Sequence, residues 1–331
     1  MENKIKYFMS EIGDSNQTPE CFDFFMLSVD GEEERSWKIL NELRIKSTVI
    51  ESICIFSFDT TKTEVDKLLS TSGIKYNSAF CLEGNKADYT DNVLSMVDRI
   101  KSLHRNSIVG MDITGMPTPQ FFLLIKWFSR HVEKIYVYYT QPERYIMNDG
   151  LFKSYFSTVG PVSVSEINGF SGVIANEGDG NRVLICMLGF DNDLMPVVIQ
   201  DAGPQKIVAI NGFPSFFPKF KDISLANNQI FLVGSEFSSR IEKTKTLSDY
   251  FYVEASNPFE TYNTLDEIAA EQKDYCIDIV PLGTKPMAIG ACLFAMYHEE
   301  VRIVFPIPEK YAKGISQNSK KTYEYIIPLV K

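Results

Sequence analysis

Histidine and tryptophan are scarce in this 331-residue chain, with three of the first and two of the second. His104, His131 and His298 have no metal-ligand spacing to one another or to a cysteine, which argues against a zinc site. No Ser-His-Asp pattern and no Gly-x-Ser-x-Gly elbow is present. The six cysteines stand apart without a Cys-x-x-Cys pair, and Cys186 and Cys292 lie in apolar runs where a free buried thiol is expected. No stretch reaches the roughly 18 apolar residues of a membrane span. The longest candidate, Met287–Tyr297, is too short, and Met1–Asn16 has no hydrophobic core of a secretory leader, so a cytoplasmic chain away from membranes is expected. Basic residues are outnumbered, 33 against 43 acidic, for a net charge of −10. That balance excludes broad duplex nucleic-acid binding but leaves room for a small basic pocket around one anion. Neither G-x-x-x-x-G-K-[ST] nor G-x-G-x-x-G occurs.

What is present is ample core and a repeat. The chain is 44% apolar, 13% aromatic and 23% charged, a globular composition long enough for two domains. Asp112-Ile113, Thr118, Phe128, Glu133, Pro142-Glu143 and Tyr145 recur without a gap 166 residues later as Asp278-Ile279, Thr284, Phe294, Glu299, Pro308-Glu309 and Tyr311. These are eight identities in 34 positions, against about two from composition alone. Upstream, Met26-Leu27-Ser28-Val29-Asp30 answers Met187-Leu188-Gly189-Phe190-Asp191 at an offset of 161. Two copies at this period mean a duplicated domain, with units expected over 1–175 and 182–331 and a turn-rich boundary at 176–181.

Each copy alternates β-rich runs with helical patterns. In the first, strands are expected at Phe22–Val29, Val49–Phe58, Ser107–Ile113 and Lys134–Tyr139, and helices at Glu32–Arg44, Asp91–Leu103 and Pro117–Arg130. The second gives Val183–Phe190, Lys206–Ile210, Asp274–Val280, Pro286–Tyr297 and Val301–Phe305 in the same order. Short continuous apolar strands between helices predict mainly parallel sheets covered on both faces. The expected fold is α/β, two Rossmann-like units related by a pseudo-two-fold axis, with their mouths facing one another.

Ligands of such sheets bind beyond the carboxyl ends of the strands. Two loops have that position: Asp112–Thr118, with Thr114, Gly115 and Thr118, and Asp278–Pro286, with Gly283, Thr284 and Lys285. A helix opened by Pro286 would aim the N–H groups of Gly283–Lys285 outward, an arrangement that attracts phosphate; equally, it is a capped helix with a solvated lysine. Asp112 and Asp278 could orient water as a carboxylate pair, although an Asp at a strand end more often caps the following loop. Asp30 and Asp191 follow the first strand of each copy and are expected to line the same edge. Tyr145 and Tyr311 could stack on a base or anchor a loop to the core. The aromatic segment Gly212–Pro218, found in the second copy only, is a candidate lid or partner contact.

Gly283-Thr284-Lys285-Pro286-Met287 after a buried strand resembles the G-T-K-P-M segment of CARF domains, the Rossmann-like sensors of CRISPR-associated proteins. In that family the segment lies beside bound cyclic oligoadenylate, and two such units in one chain resemble the SAVED domain of anti-phage systems. The resemblance implies a cytoplasmic sensor of a cyclic nucleotide messenger in prokaryotic antiviral defence, with a small phosphate-bearing nucleotide as ligand and no further cofactor. It carries to Gly283, Thr284 and Lys285, and more weakly to Thr114, Gly115 and Thr118. Leu282 stands where a second glycine is common, and Pro119 stands where a lysine would in the first copy. The Arg-x-x-x-x-His motif of attached ribonucleases is absent, and about twenty residues follow Tyr311, so no effector domain is expected. Output would pass through a protein partner or homo-oligomer. The alternatives are an enzyme cleaving a nucleotide in the same cleft and a structural subunit of a defence complex.

Overall fold

A computed structural model describes residues 8–31, 33–100, 103–146, 158–172, 181–191, 194–232, 247–311 and 316–329. The chain forms two compact units, Met1–Ile146 with Ser316–Lys331, and Met147–Ile315. These differ from the expected bounds of 1–175 and 182–331 because two strands join the sheet of the other half of the sequence, as described below. Of the expected boundary segment 176–181, only Asn181 falls within the described residues.

In the first unit, β1 (Phe8–Glu11), β2 (Cys21–Asp30), α1 (Lys38–Ile45), β3 (Val49–Phe58), α2 (Lys62–Ser72), β4 (Lys75–Gly84), α3 (Tyr89–Val97), β5 (Val109–Asp112), α4 (Thr118–Phe128) and β6 (Lys134–Tyr145) follow in sequence. β2 is buried on both faces from Phe24 onward, as a central parallel strand under two helical layers must be. Thr61 and Glu64 close a reciprocal capping box at the start of α2, and Gly73 ends it at φ 65°, a left-handed turn that a side chain would resist. The aromatic face of α4 is buried at Phe121, Phe122 and Phe128. On the sheet, the rings of Phe22 and Phe25 lie 5.3 Å apart and those of Phe25 and Tyr138 5.9 Å apart.

The second unit holds β7 (Thr158–Ser171), β8 (Arg182–Met187), α5 (Leu194–Ala202), β9 (Lys206–Gly212), α6 (Phe220–Asn227), α7 (Gln229–Leu232), β10 (Leu247–Val253), α8 (Pro258–Glu271), β11 (Cys276–Pro281), α9 (Lys285–Tyr297) and β12 (Arg302–Tyr311). The last strand, β13 (Ser316–Pro328), returns to the first unit and pairs antiparallel with β6 from Ser316 beside Tyr145 to Pro328 beside Lys134. β7, which follows β6 in sequence, pairs antiparallel with β12 instead. α9 is buried continuously from Pro286 to Ala295. It packs so closely on α8 that a Cβ at Gly290 would lie 2.3 Å from the Pro258 carbonyl oxygen.

The sheets run in the same order. The first reads β4-β3-β2-β5-β6-β13 with β1 added beyond β13, and the second reads β10-β9-β8-β11-β12-β7. In both, five parallel strands end in one long antiparallel strand. The protein is therefore a mixed α/β chain of two Rossmann-like units.

Candidate functional site

In the second unit, loops at the carboxyl ends of four strands close on the start of α9. Gly189, two residues beyond β8, approaches the β11–α9 loop so closely that a Cβ would stand 2.3 Å from the Leu282 carbonyl oxygen. A Cβ on Gly283 would meet the Met287 methyl and sulfur at 3.0 and 3.1 Å, and one on Gly212, the last residue of β9, would meet the same sulfur at 3.3 Å. The Met287 thioether thus fills the space that these two glycines leave.

Thr284 is the N-cap of α9, with φ −67° and ψ 157°. Its hydroxyl accepts from the Met287 N–H at 3.3 Å and donates to the Ala255 carbonyl, while the Ala288 N–H goes to the Thr284 carbonyl at 2.9 Å. The hydroxyl proton is therefore spent on the fold rather than held out to a ligand. Lys285 is the first helical residue and is partly exposed; Pro286 is the second, where its missing N–H costs nothing. Ala255 in turn donates its N–H to the Pro214 carbonyl at 3.0 Å, which ties the cap to the aromatic loop after β9. On that loop Phe213 is 50% exposed, beside Tyr252, which is 47% exposed. Their rings are 5.8 Å apart, and the Lys221 ammonium lies 5.2 Å from the Phe213 centroid. Asp191 is buried behind β8, in a segment where the Ser224 hydroxyl and the Asn228 amide donate to the Gly189 carbonyl at 3.2 and 3.0 Å.

The corresponding loop of the first unit is closed. Residues 112–117 are all buried, and only Thr118 is partly exposed. Asp112 accepts the Thr114 N–H at 2.7 Å, the turn-capping role of an Asp at a strand end. The Thr114 hydroxyl accepts the Thr140 N–H at 2.8 Å, and a Cβ on Gly115 would stand 2.7 Å from the Ser28 carbonyl oxygen. Thr118 is also not the positional twin of Thr284: it is the first residue of α4, behind an N-cap of Pro117. Asp30 ends β2 and is ion-paired with Lys86.

Asp278 is not at a strand end. Met26 of β2 pairs with Met111, whereas Met187 of β8 pairs with Pro281, so the gapless offset of 166 misaligns the two central strands. Asp112 closes β5, but Asp278 stands three residues before the end of β11, fully buried. Its carboxylate accepts from Arg182 at 2.9 and 3.3 Å and from Arg302 at 2.8 and 2.6 Å. Arg302 also reaches Glu166 at 3.1 Å, and these hydrogen bonds push its guanidinium further toward the charged form. A carboxylate clamped by two guanidiniums inside a sheet is a structural ion pair and has no place for a substrate water.

Arg35 is the residue that the sequence reading missed. It is 6% exposed and donates to both Glu33 oxygens at 2.8 and 3.0 Å, to the Thr140 carbonyl at 2.6 Å and to the Ser316 hydroxyl at 3.1 Å. In the sequence it looks like part of an exposed acidic helix start, and its partners lie about a hundred and nearly three hundred residues away. Tyr145, the last residue of β6, lies beside this cluster. Burial, followed by the neighbouring Tyr139 phenol, pushes its phenol up, which suits a loop anchor. Tyr311 ends β12 and pairs with Thr158.

Among the described residues, no group of three His, Cys, Asp or Glu side chains could hold a metal ion, and no helix is long and apolar enough to cross a membrane. No protein-family model and no curated protein matches the chain. Solved structures do. One is a Type III CRISPR defence DNA nuclease activated by cyclic oligoadenylate, at 9% identity and a TM-score of 0.48. That match covers 86% of this chain and 65% of the nuclease, so this chain spans less than two thirds of it. Another is the cytoplasmic domain of a prokaryotic cation chloride cotransporter, at 10% identity and a TM-score of 0.27, covering 89% of this chain and 98% of the other.

Proposed function

We propose that the second unit binds a phosphate-bearing cyclic oligonucleotide at the start of α9, and that the protein is a nucleotide sensor of prokaryotic antiviral defence acting through a partner. The observation that carries this reading is the partly exposed Lys285 at the first turn of a helix that opens at the carboxyl end of β11, inside the CARF-like segment Gly283–Met287. Of the first-turn donors, the Met287 and Ala288 N–H groups are committed to Thr284, and Pro286 has none. An anion at this end would meet the N–H groups of Gly283 and Thr284 in the positive end of the helix dipole, with the partly exposed Lys285 beside them. The Thr284 hydroxyl holds that turn rather than touching the ligand. The exposed rings of Phe213 and Tyr252, with Lys221 beside them, supply a face on which a base can stack.

Of the two carboxylates on which an enzymatic reading leaned, Asp278 is committed to Arg182 and Arg302, and Asp112 is buried and caps the Thr114 N–H, so binding without turnover is the better reading. Calorimetric titration of the whole protein with cyclic oligoadenylates, other cyclic oligonucleotides and mononucleotides tests it. Saturable binding of a cyclic oligonucleotide is expected. Failure of every member of the panel to bind folded protein overturns the proposal.

A further inference from the structure

Among the described residues, β4 at one edge of the first sheet has no strand paired on its outer side. β4 is the terminal strand, ten residues long, and it pairs with β3 in unbroken parallel register from Lys75 beside Val49 to Gly84 beside Phe58. Lys75 through Ala79 are exposed in succession, and Tyr76 is 38% exposed. Sheet edges are normally shortened, bulged or blocked by proline, because unpaired N–H and C=O groups template further strands. The other edges here follow that rule: β1 has four residues, β10 has a register irregularity, and β7 contains Pro161 and pairs irregularly with β12. β4 has none of these devices. A groove of about 520 Å³ lies against its second half, lined by Ala79–Glu83, by Asp66 and Leu69 of α2 and by Asn92 and Ser95 of α3.

We propose that β4 pairs antiparallel with β4 of a second copy of this chain, about a two-fold axis through Ala79. Opposed residues in such a pair must turn their backbone groups the same way, which allows registers centred on a residue and forbids those shifted by one. Among the allowed registers, the one centred on Ala79 sets Lys75 of each copy opposite Glu83 of the other. The only two charged side chains of the strand stand four residues on either side of that axis, on one face. On the other face the exposed Tyr76 stands opposite Leu82, which is already only 6% exposed in its own unit, with the half-buried Phe80 on the diagonal as the aromatic neighbour. A lone charge on an edge repels a copy of itself; this pair, placed symmetrically and opposite in sign, selects one. The interface is isologous, so it closes at two copies rather than propagating.

Light scattering on the whole protein across a concentration series tests this. The wild type is expected to dimerise. Lys75→Glu and Glu83→Lys each set like charges opposite one another twice, and each is expected to raise the dimer dissociation constant on the order of tenfold or more. Lys75→Glu combined with Glu83→Lys restores opposite charges across the axis and is expected to recover the wild-type constant. Both substituted side chains are exposed, and thermal melting checks that the fold is kept in all three variants. A wild type that stays monomeric at every concentration overturns the proposal. So does a dimer indifferent to the single changes, or a double variant no tighter than either single one.

Discussion

Asp278 and Lys285 lie seven residues apart and illustrate two fates of a charge. Asp278, fully buried, answers two guanidiniums whose side chains are 24% and 21% exposed. Asp278→Asn would leave Arg182 and Arg302 facing a neutral amide inside a sheet. The expected loss is about 3 kcal/mol of stability, measured by chemical denaturation, with ligand binding by the folded fraction unchanged. The glycines divide in the same way. Gly115→Ala drives a Cβ to 2.7 Å from a backbone oxygen, and the expected loss is about 1–3 kcal/mol. Gly283→Ala meets only the flexible end of Met287 at 3.0 Å, so its melting temperature should stay close to that of the wild type. Equal losses from the two glycine changes would contradict this account of the two loops. Spacing and residue type placed Thr284 and Lys285 at a helix start, because caps are local. They misplaced Asp278, because eight identities in a gapless alignment say nothing about how far each strand slides along its neighbour.

α2 was not foreseen as an element, since its apolar positions are few; its signature lies in the Thr61–Glu64 box. Hydrogen bonds from the Thr61 backbone and hydroxyl hold the Glu64 carboxyl below the usual carboxylate range. A group whose folded value is depressed contributes stability above its unfolded value and loses that contribution as the pH falls through the folded one. Glu64→Gln should therefore melt earlier than the wild type at neutral pH, and the difference should shrink progressively below about pH 4. A gap that is constant from neutral to strongly acid pH would remove the box from the account. The central strands were readable as apolar runs, because a parallel strand is apolar on both faces. β4, exposed along most of its length, and the long antiparallel strands β7 and β13, with their alternating polar residues, carry no such run.

β13 belongs to the first unit although the whole second unit precedes it, and Tyr138 of β6 donates to Glu324 of β13 at 2.7 Å in the buried sheet. Its phenol is pushed up by burial first and by that carboxylate second. A chain ending at residue 315 would bare the full length of β6. Loss of the first unit's cooperative melting transition is expected in calorimetry, together with aggregation, and an unaltered transition would contradict the assignment of β13. The presence of two α/β units could be read from the sequence, but the assignment of strands to units could not, because it rests on which long-range partner each end strand finds.

Binding at the start of α9 is tested most directly by a calorimetric comparison of wild type, Lys285→Ala and Lys285→Arg with a cyclic oligoadenylate. Lys285→Ala is expected to lose affinity on the order of tenfold or more, as when a charge-assisted contact is removed, with much of it recovered in Lys285→Arg. Equal affinities in wild type and Lys285→Ala would contradict it.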